Sequence, residues 1–118
     1  MANKIVEIDD LAASIARERE AGQRIVLCQG HFNVVHPGHV RFLQYAKNLG
    51  ERLVVIVLGT GHLPDDFRSH YFNEEDRLAN VEALHFVDYV YLLQGTSTPE
   101  GVIELLRPDY YVLGQEFE

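Results

Sequence analysis

The segment QGHFNVVHPGH, residues 29 to 39, contains three histidines, two glycines and a proline directly after the apolar run IVLC. A simple connection does not need this chemistry, whereas a loop that contacts a ligand through imidazoles and backbone groups does. His36 and His39 are three residues apart, so both side chains can face one side of a helix that begins at Pro37. The N–H groups in the first turn of that helix point the same way. The segment therefore predicts a pocket for phosphate oxygens.

The two glycines of this segment also fit a ligand pocket, and the segment has two other interpretations. Gly30 is expected to let the backbone turn sharply after a strand, and Gly38 to let a ligand approach the helix start. A zinc site is a second interpretation, although residues 29 to 39 contain neither thiolate nor carboxylate. A third interpretation is structural, with His36 as a helix cap and His39 as a surface residue. This interpretation does not explain why the glycines, Phe32 and the position after a strand occur in combination.

Apolar periodicity predicts alternating helices and strands around this segment. Helices are predicted over 9–20, 37–50, 74–86 and 99–107, and strands over 24–30, 51–59, 87–93 and 108–114. The strands are nearly continuous apolar runs, which is typical of strands covered on both faces. We expect a Rossmann-like three-layer α/β fold with a parallel sheet of four to five strands. Ligands bind at the carboxyl ends of such strands, where the segment lies.

Composition and charge restrict the possible functions. The 118 residues, 47% of them hydrophobic, predict one globular domain. The formal net charge of −8 argues against extended binding of nucleic acid or of anionic membranes. No apolar run approaches the ~18 residues of a membrane span. The single cysteine, Cys28, lies in a predicted strand and fits a reducing compartment, so we expect a cytoplasmic protein.

Two short motifs carry a family resemblance. Gly30-His31-Phe32-Asn33, followed by His36-Pro37-Gly38-His39, resembles the G-x-F-[DN] and H-x-G-H signature of the cytidylyltransferase-like nucleotidyltransferase superfamily. The resemblance runs nearly end to end. Within the superfamily it is greatest to the nucleotidyltransferase domains of ADP-heptose synthases, and next to the glycerol-3-phosphate cytidylyltransferases.

The resemblance implies an enzyme that transfers a nucleotidyl group from ATP or CTP to a phosphorylated sugar or polyol and releases pyrophosphate. An acceptor phosphate oxygen would attack the α-phosphorus in line, without a covalent enzyme intermediate. Mg²⁺ would be bound through the phosphates of the nucleoside triphosphate rather than by a metal site of the protein. A homodimer is compatible with the resemblance, whereas nucleic-acid and membrane partners are not expected.

The resemblance also assigns roles to residues. His36 and His39 would donate hydrogen bonds to phosphate oxygens, and Arg77 and Arg68 would pair with substrate phosphate. An alternative for Arg77, in the first turn of an acidic helix, is a solvated side chain or one paired with Glu74 or Asp76. Nucleotide binding would involve Gly30, His31, Phe32, Asn33, Gly38, Gly114, Gln115 and Glu116.

Several departures from the family pattern bear on the acceptor. His31 stands where Thr, Ser or Cys is common, and Asn33 where many relatives carry Asp. The loop 59–73 contains no lysine, although several relatives place phosphate-binding lysines there. The sequence also stops before the Ser/Thr-rich segment of the superfamily, so we expect residues 1–118 to be one domain of a longer chain. The rival hypothesis is a nucleotide-binding regulatory module without turnover.

Overall fold

The computed structural model describes residues 3–33, 35–63 and 71–113, and it confirms the predicted order of elements. None of the helices in these ranges is long and apolar enough to cross a bilayer. The elements are α1 (Ile8–Glu20), β1 (Ile25–Gly30), α2 (Pro37–Lys47), β2 (Arg52–Leu58), a 3₁₀ helix (Thr60–His62), α3 (Glu74–Glu82), β3 (Tyr89–Leu93), α4 (Pro99–Leu106) and β4 (Tyr110–Val112).

The four strands form one sheet in the order β3-β2-β1-β4, and every neighbouring pair is parallel. In the register, Val26 of β1 lies between Leu53 of β2 and Tyr110 of β4. Because all four strands run the same way, their carboxyl ends meet at one edge of the sheet. The loop after β1, which contains the motif histidines, therefore leaves the sheet at the edge predicted for a ligand.

Alternate residues of the strands enter two separate cores. On β2, Val54 and Ile56 pack toward α1 and α4, whereas Leu53, Val55 and Val57 pack toward α2 and α3. All five side chains are fully buried. Both faces of the sheet are covered by helices, which explains the continuous apolar run and confirms the predicted Rossmann-like three-layer α/β fold.

The helix starts follow the capping residues expected from the sequence. Asn73 accepts a hydrogen bond from the Asp76 N–H at 2.8 Å at the start of α3. Thr98 does the same for the Gly101 N–H at 3.1 Å before α4, where Pro99 occupies the first helical position. Such side-chain acceptors satisfy N–H groups that have no partner inside the helix.

Helix α3 is shorter than predicted. It ends at Glu82 rather than near residue 86, because the Lys4 ammonium donates to the carbonyl oxygens of Glu82 and Leu84 at 3.1 and 2.8 Å. A cation that takes the last carbonyls of a helix favours its termination. His85, which the helical pattern placed on a helix face, consequently lies in the following turn and is exposed.

The position of Tyr89, Tyr91, Tyr110 and Tyr111 on or beside predicted strands favours core and packing roles, but the two tyrosines of β4 do not fit this expectation. Tyr110 and Tyr111 are 41% and 37% exposed, because β4 has three residues and lies at an edge of the described sheet. Tyr89 and Tyr91 on β3 are partly buried against the α1–α4 core, as expected. The pattern of apolar residues could not distinguish an edge strand from a central one.

We expect Gly59→Ala to destabilise the protein more than Gly61→Ala. The Gly59 N–H donates to the Leu93 carbonyl at 2.8 Å, and a Cβ at position 59 would lie 2.5 Å from that oxygen. A Cβ at position 61 would meet nothing within 4 Å. Urea unfolding should give a loss of about 1–3 kcal/mol for Gly59→Ala and a much smaller change for Gly61→Ala. Equal stabilities would contradict the close contact.

The Cys28 thiol should react only after unfolding. Burial raises the pKa of this thiol from its ordinary value of 9.0 to about 12, so at pH 8 the native protein holds it protonated and inaccessible. A disulfide reagent should label the native chain negligibly and the chain in urea at one site. A Cys28→Val variant, labelled in neither state, is the control. Rapid labelling of the native protein would show that β1 is accessible.

Candidate active site

His36 and His39 together cap the N-terminus of α2. The Nδ1 of His36 accepts a hydrogen bond from the Gly38 N–H at 3.0 Å, and the His36 N–H donates to the Nδ1 of His39 at 3.2 Å. The pair forms a reciprocal capping box, with imidazoles in place of the usual Ser or Thr and Glu. The ring centroids are 4.0 Å apart. The two rings therefore converge at the helix start, as predicted.

The cap fixes which ring nitrogen carries the hydrogen. A nitrogen that accepts a hydrogen bond is unprotonated, so in each neutral ring the hydrogen is on Nε2. His36 is exposed and His39 is half-buried. The structural interpretation of His36 as a helix cap is therefore correct, but it uses only one nitrogen of the ring. The tautomer makes Nε2–H of each ring a hydrogen-bond donor at the mouth of α2.

The electrostatic environment of α2 differs from that of the other described helices. Its first turn contains no acidic residue. The first turns of α1, α3 and α4 contain acidic residues, namely Asp9, Asp10, Glu74, Glu75, Asp76 and Glu100. A helix N-terminus carries roughly half a positive charge, which nearby carboxylates offset. Among the four described α-helices, α2 is therefore the one whose first turn does not neutralise its positive end.

The buried ring of Phe32 packs against the ring of His39. Its backbone has a positive φ of 51°, its side chain is 4% exposed, and its ring centroid lies 5.8 Å from that of His39. A Cβ at Gly30 would lie 2.9 Å from the Phe32 ring. The sharp turn expected at Gly30 is therefore at Phe32 instead, because Gly30 is the last residue of β1 and makes room for that ring.

Arg77 is fully buried beneath the same loop. Its Nε donates to the Phe72 carbonyl at 3.1 Å, and its Nη1 donates to the carbonyls of His31 and Leu58 at 3.0 and 2.6 Å. Burial lowers the pKa of the guanidinium, and the nearby Glu74 carboxylate opposes that effect. The solvated or surface-paired alternative for Arg77 is wrong. Its contact with substrate phosphate stays a prediction. Of the guanidinium nitrogens, only Nη2 is not engaged in these three hydrogen bonds.

Asn33 joins the motif loop to the segment before α3. Its Oδ1 accepts a hydrogen bond from the Phe72 N–H at 2.5 Å, so the Phe72 backbone is bound at its N–H by Asn33 and at its carbonyl by Arg77. The half-buried ring of His31 contacts Tyr71 edge to face, with centroids 5.7 Å apart. These contacts hold two loops together at the carboxyl edge of the sheet.

Glu74, like Arg77 and Asn33, joins separate segments of the chain, and the sequence analysis did not identify it. The acidic cluster 74–76 alone indicates a solvated helix terminus, but Glu74 accepts from the Thr60 N–H at 2.8 Å and from the Gln94 amide at 3.3 Å. It therefore ties α3 to the residues that follow β2 and β3. A helical pattern cannot reveal this, because both partners are distant in sequence.

Three buried polar atoms at this edge lack a hydrogen-bond partner within the described residues. They are the Gln29 Oε1 at the end of β1, the His62 Nε2 after β2, and the Arg77 Nη2. Buried polar groups are usually satisfied, and water or a ligand completes the set where protein does not. Gln29 was missed as a candidate, although a polar residue at the end of an apolar strand was a signal. A separate cavity of about 410 Å³, which none of these three side chains lines, is bordered by Asn33, Val35, Val40, Phe72, Asn80, Ala83 and Leu84.

The remaining predicted site residues divide into two groups. The Gly38 N–H serves the His36 cap, which places this glycine in the first turn of α2. Gly114, Gln115, Glu116 and Arg68 lie outside the described residues. Across residues 3–33, 35–63 and 71–113, no three His, Cys, Asp or Glu side chains group in a way that could hold a metal ion.

A parallel sheet with an imidazole-capped helix at its carboxyl edge defines a Rossmann-like fold of the nucleotidyltransferase type. The comparison with protein families gives the same class, because residues 27–118 match the model of the family described as cytidylyltransferase-like. The chain belongs to this family.

Curated relatives extend the match over nearly the whole chain. It is 38% identical over 118 residues to the bifunctional protein HldE of Citrifermentans bemidjiense and 34% identical over 119 residues to HldE of Methylobacillus flagellatus. Each alignment covers 98% of this chain but 24% of the relative. The chain thus spans about a quarter of the length of these relatives.

Two solved structures are similar in fold. The lipopolysaccharide core biosynthesis protein of Thermoplasma volcanium superposes with a TM-score of 0.67 at 32% identity, over 76% of this chain and 73% of that protein. The pantoate-beta-alanine ligase of Francisella tularensis superposes with a TM-score of 0.63 at 13% identity, over 93% of this chain and 56% of the ligase. The second likeness concerns the fold alone.

The contribution of His36 to helix capping can be measured with a variant that keeps a hydrogen-bond acceptor but lacks the imidazole. We expect His36→Ala to lower the free energy of unfolding by about 1 kcal/mol, and His36→Asn to lower it by only a few tenths, because Asn also accepts from helix N–H groups. His85→Ala, which removes an exposed histidine from a turn, is the matched control. Urea unfolding measures all three. Equal losses in His36→Ala and His36→Asn would contradict the capping geometry.

Proposed function

We propose that the protein transfers a nucleoside monophosphate from a nucleoside triphosphate to a phosphorylated sugar or polyol, with release of pyrophosphate. The observation that carries the proposal is the reciprocal cap, which makes the Nε2–H of His36 and of His39 donors at the mouth of α2. ATP with a sugar phosphate is the first choice, supported by the likeness to HldE and to a lipopolysaccharide core biosynthesis protein. CTP with glycerol 3-phosphate is the second choice.

The proposed reaction requires little beyond positioning and charge stabilisation. A phosphate oxygen of the acceptor forms a bond to the α-phosphorus, and the bond from the α-phosphorus to the bridging oxygen of pyrophosphate breaks. His36 and His39 donate to the phosphate oxygens on which charge accumulates. Their tautomer is fixed by the cap before substrate binds, so the donors need no reorganisation during the reaction.

Mg²⁺ fits this scheme as an ion held by the triphosphate. The two motif histidines offer imidazole N–H groups, which bind phosphate oxygens and not a cation. When bound, the ion neutralises charge on the triphosphate and on the leaving pyrophosphate. The protein's own part is to orient the phosphates at α2.

A non-catalytic nucleotide-binding module is the second candidate. The loop 59–73 contains no lysine, so Arg68 is the one Lys or Arg side chain that this stretch of sequence could provide for a second phosphorylated substrate. A module that binds only a nucleotide would need no such charge. The two candidates make different predictions for pyrophosphate release.

The test uses the full natural polypeptide that contains residues 1–118. It is incubated with Mg²⁺, each nucleoside triphosphate and a panel of phosphorylated sugars and polyols, and pyrophosphate is measured. We expect turnover that falls on the order of 10²- to 10³-fold in His36→Asn, which keeps the cap, and in His39→Ala. His85→Ala should leave turnover unchanged.

One outcome would contradict the enzyme proposal, and another would contradict the role proposed for His36. Tight nucleotide binding without pyrophosphate from any acceptor would support the binding module. Full turnover in His36→Asn would show that the imidazole takes no part beyond its cap, even if the protein is an enzyme.

A further inference from the structure

Arg77 contacts three separate segments of the chain through its guanidinium. The acceptors are the carbonyls of His31, which follows β1, of Leu58, at the end of β2, and of Phe72, before α3. They are 46, 19 and 5 residues distant from Arg77 in sequence. A planar guanidinium with five N–H donors can serve several carbonyls at fixed angles, whereas an ammonium is a compact charge with a flexible stem.

These bonds converge on the loop that carries the histidines. His31 precedes Phe32, whose positive φ turns the backbone and whose ring supports His39. Asn33 follows it and binds the Phe72 N–H, while Arg77 binds the Phe72 carbonyl. The loop is therefore attached to Arg77 directly at His31 and indirectly through Phe72.

The location of Arg77 does not suit direct binding of a phosphorylated acceptor. The side chain is 0% exposed, and its Nε and Nη1 are engaged by protein carbonyls. A residue with this burial and these acceptors acts on the site through the backbone that it holds.

We infer that Arg77 is a positioning residue, whose guanidinium fixes the ends of β1 and β2 and the start of α3 relative to one another and so holds the histidine-bearing loop in place. The inference rests on the proposed function only for its kinetic consequence. Its structural part concerns the protein alone and can be measured without turnover.

The structural part is tested by amide hydrogen exchange on the full natural polypeptide. Arg77→Lys is compared with wild type and with Arg17→Lys, the same substitution at an exposed site on α1. The amides that report on the three segments are those of Gly38, Gly59, Thr60 and Phe72. We expect exchange at these amides to be about tenfold faster in Arg77→Lys. The core amides of β1 and β2 should be unchanged, as should all four reporter amides in Arg17→Lys.

Guanidinium ion provides a second structural readout. In Arg77→Ala the ion can occupy the space of the lost side chain and donate to the same carbonyls. Millimolar guanidinium chloride should therefore slow exchange at the four amides back toward the wild-type rate, whereas the same concentration of sodium chloride should not. Failure of guanidinium to restore protection in a folded Arg77→Ala would overturn the inference. If this variant does not fold, Arg77→Lys decides alone.

The kinetic readout distinguishes positioning from substrate contact. A displaced histidine loop should lower kcat on the order of 10²-fold in Arg77→Lys, with little change in KM for either substrate. If Arg77→Lys shows wild-type exchange rates at the four amides and a raised KM for the acceptor, the inference is overturned in favour of direct phosphate contact. Faster exchange throughout the protein would overturn it as well, because Arg77 would then serve the whole core. Absence of turnover in wild type would count against the proposed function and leave the exchange result valid.

Discussion

The arrangement of the site depends on one property of imidazole, namely that its two nitrogens can serve different partners. At the start of α2, the Nδ1 atoms of His36 and His39 accept from the backbone, and this fixes the hydrogen on each Nε2. The same bonds that begin the helix therefore also leave the hydrogen of each ring on its other nitrogen. An Asp cap would begin the helix equally well, but an ionised carboxylate only accepts hydrogen bonds and would add a negative charge at the helix start.

This cap depends in turn on buried contacts beneath it. Phe32 occupies the space that Gly30 leaves and contacts the ring of His39. Arg77 and Glu74 then connect the segments that follow β1, β2 and β3 to α3. A buried Arg whose hydrogen-bond acceptors are carbonyls has its charge offset only by the nearby Glu74 carboxylate, and its burial costs stability. Such a cost is typical of functional sites, where geometry takes precedence over stability.

The sequence predicted the fold and the convergence of His36 and His39 at the start of α2, because both depend on local patterns. Apolar runs, caps such as Asn73, and the spacing of His36 and His39 are each read within a few residues. The errors came from contacts between distant residues. Lys4 shortens α3 from 78 residues away, and Arg77 reaches His31 across 46 residues. One-dimensional periodicity carries no information about such pairs, and an acidic first turn suggested a solvated Arg77 where the structure has a buried one.

Asn33, where many relatives carry Asp, agrees with the electrostatics of this chain. Its contact with the Phe72 N–H needs only an acceptor oxygen, and an amide supplies that oxygen without a negative charge. The protein already has a net charge of −8, and an amide at position 33 retains the loop contact without adding a further carboxylate. Under the proposed function it also avoids a repulsion of several kcal/mol, which a carboxylate would exert on a phosphate about 4 Å away at the effective dielectric of a protein surface.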